Sequence, residues 1–293
     1  MEAALKKKNP VLIFFAITLI WTWSIGFIPL LFGMKDSSSG DFLFKMLVGP
    51  APSIVGLIMV WKTYSKEQRI AYFKRCFNLK QAGFRCLLLL ILFYAAVCLV
   101  SILISTNVFG GSVPEFGGLK AIINQPWLIF MYLFFALISG PLNEEFGWRG
   151  YSLDHLIKKY GFVKASVILG FIWGIWHLPW YYYPSNGQFI AWSVSPVHGL
   201  YMIVASITCS LLVSVCYVKR DRSVVAGAFV HLLSNFLVGG TIIYPFDHPY
   251  MITSMYVASV MEFVVAIYII NTNEFKEKLK MVETEIHAEF EKY

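Results

Sequence analysis

The sequence predicts an all-α, polytopic membrane protein of about eight transmembrane helices, with N- and C-termini cytoplasmic. Three observations carry this prediction. Of the 293 residues, 58% are apolar and 14% charged, with a mean hydropathy of +0.65, whereas soluble domains carry about 45–50% and about 25%. A single core cannot hide that excess, because cores stop growing near this length. Eight spans of about 20 residues would account for roughly 160 residues, close to the apolar fraction. The cations, finally, fall almost entirely in alternate loops. A soluble enzyme, a disordered tail protein and a disulfide-stapled secreted domain are all excluded.

The spans read, in order, at 11–32, 42–61, 86–105, 122–157, 162–183, 199–218, 223–240 and 251–270. The ten-residue alternation of a membrane barrel is absent. The first segment follows Lys6, Lys7 and Lys8 and so imitates a signal peptide. It is too long for a signal h-region and lacks a small-residue cleavage site, so it reads as helix 1. Residues 62–85 mix aromatics with seven cations, which suits a helix lying on anionic headgroups. Residues 106–121 carry Gly110, Gly111, Pro114, Gly117 and Gly118 and read as an external loop. From Asn271 onward, six Glu against four Lys make a charged, solvated cytoplasmic helix over 271–293. The chain 1–293 is thus one membrane domain, with its polar motifs in the core 122–240. No repeat of solenoid length occurs, nor paired broken segments of the transporter kind. Cys76, Cys86, Cys98, Cys209 and Cys216 show no CxxC spacing and read as free thiols.

If the N-terminus is cytoplasmic and eight spans alternate, 21 of the 24 Lys and Arg face the cytoplasm. The other side keeps Lys35, Lys45 and Lys120. That split is the positive-inside rule, and it supports an even number of spans. The net charge of +7 is therefore a topology signal. No folded basic face exists to bind nucleic acid.

The informative residues are polar ones where polarity is expensive. Glu144 and Glu145 sit in ISGPLNEEFGWRGY, His177 in GFIWGIWHLPW, and His231 and Asn235 in GAFVHLLSNF. An ionisable group at mid-membrane costs about 2.5–3.5 kcal/mol, which makes each a functional candidate. Counted from the nearest basic anchor, Glu144 is 14 residues from Lys158 and His177 is 13 from Lys164. His231 is 9, and Asn235 13, from Arg222. At a rise of 1.5 Å per residue the depths are about 21, 20, 14 and 20 Å. Three helices therefore bring four polar residues to one layer.

Local spacing adds detail. His231 and Asn235 share a helix face, and Glu145 can pair with Arg149 one turn on. Gly170, Gly174 and His177 form a stripe that lets a second helix approach closely. Pro141 and Pro179 each free a backbone carbonyl and predict kinks beside the polar residues. Glu262, a buried acid with no motif around it, reads as a structural partner or a snorkelling residue.

Three spacings in order carry a family resemblance. Glu144-Glu145-Phe146-Gly147-Trp148-Arg149 fits EExxxR, Trp173 to His177 resembles FxxxH, and His231 to Asn235 fits HxxxN. On consecutive late helices these resemble the type II CAAX prenyl endopeptidase family. That family of intramembrane proteases, also called the CAAX protease and bacteriocin-processing group, includes the Ras-converting enzyme. The resemblance spans about helix 4 to helix 7 and implies an eight-helix fold. It further implies peptide hydrolysis without a covalent acyl-enzyme. Glu144 would be the base, His177 would hold the water, and His231 and Asn235 would donate to the oxyanion.

Spacing alone does not decide which of Glu144 and Glu145 faces the cavity. The motif comparison favours Glu144 as base, with Glu145 as its Arg149-paired support. Trp173 stands where the family has Phe, an aromatic-for-aromatic change expected mainly to alter packing. No cofactor is implied; zinc is the alternative, because two histidines and a glutamate are a known catalytic set, although the HExxH helix is absent. A non-catalytic immunity or scaffold protein of the same fold is a further alternative. The partners expected are the lipid bilayer and a prenylated or other membrane-associated peptide, reached through a cavity open to cytoplasm and bilayer. The membrane would be the cell membrane in a prokaryote and the endoplasmic reticulum in a eukaryote.

Overall fold

The computed structural model describes residues 9–33, 38–238, 242–243 and 248–291. Lys6 to Lys8, Lys35 and Lys292 of the charge argument, and positions 239–240 of the 223–240 span, lie outside them. Among the described residues the chain is mostly helical, with non-helical connections such as 108–116, and has no strand.

The first span folds as α1 (Pro10–Leu31), and the second breaks into α2 (Ser38–Val48) and α3 (Ala51–Thr63). Pro50 stands at that break, where its missing N–H interrupts the ladder. The cationic stretch forms α4 (Lys66–Phe77) and the short α5 (Leu79–Ala82). Ser65 and Gln68 open α4 with a capping box, Gln68 N donating to Ser65 Oγ at 3.2 Å and Ser65 N to Gln68 Oε1 at 2.8 Å. Ile70, Phe73 and Phe77 on α4 are exposed, as a helix at a lipid interface requires.

The third span is α6 (Phe84–Asn107), followed by α7 (Gly117–Asn124). The predicted continuous helix 122–157 is instead interrupted. It runs as α8 (Leu128–Ile138), α9 (Pro141–Glu145), a π-helical stretch Phe146–Leu153, and α10 (Asp154–Tyr160). The breaks fall at 125–127, which separates α7 from α8, at Gly140–Pro141 and where the π turns begin. Next come α11 (Phe162–Trp176), a 3-10 turn Leu178–Tyr182 around Pro179, α12 (Gly187–Val194) and α13 (Pro196–Lys219). The chain then forms α14 (Val224–Leu233), which passes into a π stretch Ser234–Val238, then α15 (His248–Asn271) and α16 (Asn273–Glu291). Among the described residues seven helical segments are long and apolar enough to cross a bilayer, and Val224–Val238 is a shorter apolar helix.

Glycines set the closest contacts. A Cβ on Gly170 would lie 2.6 Å from the Ile207 Cα, and one on Gly174 3.0 Å from the Ile203 Cα. The predicted small-residue stripe of α11 therefore receives α13. A Cβ on Gly147 would meet the Pro52 carbonyl oxygen at 2.0 Å, so the π stretch lies directly on α3. Large apolar side chains such as Leu31, Phe84 and Phe130 point outward, as lipid-facing residues do. The fully buried set includes Trp148, Trp176 and Arg149.

One end of the bundle is closed by a charged cluster. Asp154 accepts from Tyr217 Oη at 2.9 Å and from Arg222, whose Nε lies 3.1 Å away and whose Nη2 is closer still. Glu289 accepts from Arg222 Nη1 at 2.6 Å and Arg75 Nη1 at 3.3 Å. Gln68 Nε2 donates to the Glu289 carbonyl at 2.8 Å. The last helix is thus not the freely solvated one expected from its charge: Phe275, Val282 and Ile286 are buried, and Glu289 supplies the counter-charge for two arginines. The five cysteines are free; burial pushes the Cys76 thiol up to about 12, which suppresses its thiolate.

Candidate active site

The three polar motifs converge on one space. A cavity of about 560 Å³ is lined by Glu144, Trp173, His177, His231 and Asn235, with Lys45, Ser185 and Gln188 also in its lining. Glu145 and Arg149 are not part of its wall. They lie behind it, fully buried.

Glu144 occupies the end of the one-turn helix α9, which Pro141 starts and Gly140 separates from α8. Its Oε2 accepts two indole hydrogen bonds, from Trp173 Nε1 at 2.6 Å and Trp148 Nε1 at 3.3 Å. Its Oε1 lies 4.0 Å from His231 Nε2. Glu145 Oε1 accepts from Arg149 Nη1 at 2.9 Å and meets His231 Nδ1 at 2.8 Å. A carboxylate paired with arginine only accepts, so His231 Nδ1 carries the hydrogen. The neighbouring acids thus divide their contacts: Glu144 faces the cavity, and Glu145 ties Arg149 to the back of His231.

His177 caps the end of α11, immediately before the 3-10 turn. Its Nδ1 donates to the Trp173 carbonyl at 2.9 Å, because a carbonyl oxygen can only accept. The neutral ring then presents Nε2 as an acceptor. Trp173 consequently touches both sides of the site, its indole holding Glu144 and its carbonyl holding His177. Its ring also stands edge-on to His231, 5.0 Å between centroids, with the Arg149 guanidinium 4.9 Å over its face. The expectation that Trp in place of Phe mainly alters packing leaves out this indole hydrogen bond. A phenyl ring has no N–H to give Glu144.

Other residues of the site carry no signal in the polarity argument. Trp148 supplies the second indole, and a buried indole asks for an acceptor; its spacing four residues after Glu144 is the clue. Gly140 is subtler, for a Cβ there would lie 2.5 Å from Asn235 Nδ2 and 3.0 Å from His231 Nε2. Any other residue would occupy the point where those two nitrogens converge. The π-helical stretches follow directly on Glu145 and on Leu233, and π turns inside helices cluster at functional sites. Glu262 lies in a separate buried group, accepting from Tyr94 Oη at 2.9 Å and Thr208 Oγ1 at 3.4 Å. It is a structural partner of three helices.

Catalytic zinc needs three protein ligands at about 2.0–2.2 Å. Among the described residues no group of three His, Cys, Asp or Glu side chains converges in that way.

Fold and cavity together define a polytopic membrane protein with an acid, two imidazoles and an amide gathered around one buried space. Residues 125–237 match the family described as type II CAAX prenyl endopeptidase Rce1-like. The chain is also 30% identical over 233 residues to CAAX prenyl protease 2 of Methanococcus maripaludis, covering 78% of this chain and 83% of that protein. The chain belongs to the type II CAAX prenyl endopeptidase family, a family of membrane proteases.

Proposed function

We propose that this chain is an intramembrane endopeptidase that cuts near the C-terminus of membrane-associated, prenylated CAAX-type peptides, using a water activated by Glu144. The observation that supports this best is the asymmetry of Glu144: two indoles hold Oε2, while Oε1 faces the cavity side of His231. A carboxylate held in this way keeps its aim while one oxygen is available to take a proton.

The water sits against Glu144 and the acceptor Nε2 of His177. Glu144 takes its proton as the water oxygen bonds to the scissile carbonyl carbon, and the carbonyl becomes an oxyanion. Asn235 Nδ2 and His231 Nε2 donate to that oxyanion, each such donor being worth about 2.7–4 kcal/mol. Because His231 Nδ1–H is spent on Glu145, Nε2 donates when the ring carries both protons, with Glu145 as its counter-charge. Collapse breaks the C–N bond, and the proton on Glu144 passes to the leaving amine, directly or through His177. No acyl-enzyme forms and no metal takes part. The substrate class rests on the family and on the name of the archaeal relative.

The test is cleavage of a fluorogenic farnesylated CAAX peptide by purified protein, beside Glu144→Ala, with and without a strong chelator. Cleavage that survives chelation and disappears in the variant is expected. Cleavage abolished by chelator and restored by zinc overturns the metal-free reading. Absence of cleavage by the wild-type protein overturns the prenylated substrate.

A further inference from the structure

The spans α6, α13 and α15 border two grooves, one toward each end, and the grooves differ in charge. The first, of about 650 Å³, lies where α6 ends and α13 and α15 begin, beside Phe109, His198 and Pro249. Among the described residues its lining holds no Lys, Arg, Asp or Glu. The second, of about 490 Å³, lies where α6 begins and α13 and α15 end. It gathers Arg85, Lys219 and Arg220, and among the described residues its lining has one acid, Glu274. Between the two, Glu262 of α15 accepts from Tyr94 of α6 and Thr208 of α13, which pins the three helices at mid-span.

The cations of the second groove are held in place. Arg220 Nε donates to the Gln81 carbonyl at 2.7 Å, and Gln81 Nε2 donates to the Asp221 carbonyl at 2.7 Å. Gly83, at φ +76°, turns the chain into α6 through the left-handed region that favours glycine, and a Cβ there would lie 2.5 Å from Arg220 Nη2. Lys219 Nζ lies 3.3 Å from Oε1 of the exposed Glu274, and an exposed pair of this kind is weak enough to yield to a competing anion. Arg85 is exposed and, among the described residues, has no carboxylate partner. Away from the cations the lining turns apolar, through Leu89, Phe93, Val265 and Ile269. From Arg85 to Phe93 it runs about 12 Å along α6, at 1.5 Å per residue.

The apolar part lies within membrane-spanning segments, and the cations stand at the ends of those segments, at the level of lipid headgroups. Basic pockets between spans select anionic headgroups. We infer that this groove holds one anionic phospholipid, with its phosphate on Arg85, Lys219 and Arg220 and an acyl chain between α6 and α15. The groove at the other end offers no charge by which to choose a headgroup.

The test uses the purified full chain, stripped of lipid in a non-ionic detergent. It receives equal amounts of phosphatidylglycerol and phosphatidylcholine with the same chains, and bound lipid is counted by native mass spectrometry. Each cation beside an anionic headgroup is worth roughly fivefold in binding, so the first lipid bound should be phosphatidylglycerol by about tenfold or more. Arg85→Gln with Lys219→Gln should abolish that preference, with the lipid-free Tm little changed. Arg85→Gln alone, which breaks no ion pair, should weaken it about fivefold. Lys66→Gln with Lys74→Gln, an equal change of charge at exposed positions of α4 outside the groove, should keep it. Equal binding of the two lipids overturns the proposal, and so does a preference that survives in the groove variants. Loss of the preference in the α4 variant also overturns it, because net charge would then be the cause. Cys86 lines the groove and reports position: phosphatidylglycerol should slow its alkylation several-fold, and phosphatidylcholine or inorganic phosphate should not. Equal slowing by inorganic phosphate would make the ligand a free anion and overturn the lipid.

Discussion

Two buried charged clusters lie along the axis of this protein, and polarity alone would select both. At the closed end, both Asp154 oxygens accept hydrogen bonds and Glu289 neutralises two arginines. At mid-depth, Glu145 Oε1 serves both Arg149 and His231, and its Oε2 is buried without a partner and away from the cavity wall. Glu144 differs from both, because one oxygen is fixed by two indoles and the other adjoins a cavity. The closed end spends its hydrogen-bonding capacity on joining helices. The cavity keeps some in reserve for a ligand. Buried charge in a membrane helix therefore marks chemistry only where capacity is left over and space adjoins it.

Substitutions can break that contrast. The largest effect is expected for Glu144→Gln, which keeps size and should lower kcat by about 10²–10⁴-fold with little change of Tm in detergent. Asp154→Ala should do the opposite. It leaves Arg222 with Glu289 as its carboxylate partner and Tyr217 Oη without its acceptor, costs about 3 kcal/mol in stability, and leaves turnover per folded molecule near wild type, as a thermal melt paired with an active-site titration would report. Asn235→Ala should lower kcat by roughly 10²–10³-fold with KM little changed; an effect confined to KM would move Asn235 from the oxyanion to substrate binding. Trp173→Phe removes one charge-assisted hydrogen bond of about 1.5 kcal/mol. A kcat loss near tenfold at unchanged Tm is expected, and an unchanged kcat would return this position to packing alone. The exposed pair Lys219–Glu274 should give the smallest effect, with Glu274→Ala shifting stability by under about 1 kcal/mol.

Much of this was legible in the sequence, for identifiable reasons. Hydropathy located the spans because lipid tolerates few unpaired polar groups. Depth counting placed Glu144, His177, His231 and Asn235 in one layer, and the four line one cavity. The glycine stripe of α11 was readable because close helix approach demands small residues at a fixed spacing. Less legible were contacts that depend on how a helix is interrupted. The break at Gly140–Pro141 and the π turns after Glu145 fix which acid faces inward, and periodicity assumes regular helices. Trp173 was read by size, whereas its indole hydrogen and its carbonyl matter separately. The last helix was read by net charge, and its buried Phe275, Val282 and Ile286 recur at spacings of seven and four that six glutamates obscure.

The docking of Glu289 also has a consequence for the order of synthesis. Arg75 and Arg222 are inserted long before residue 289 leaves the ribosome, yet both depend on that glutamate for charge balance. The nascent chain must therefore hold two arginines at the membrane edge with an incomplete set of partners until residue 289 has emerged and docked. A chain interrupted before that residue would keep every span described above and the whole cavity, and still lack its keystone.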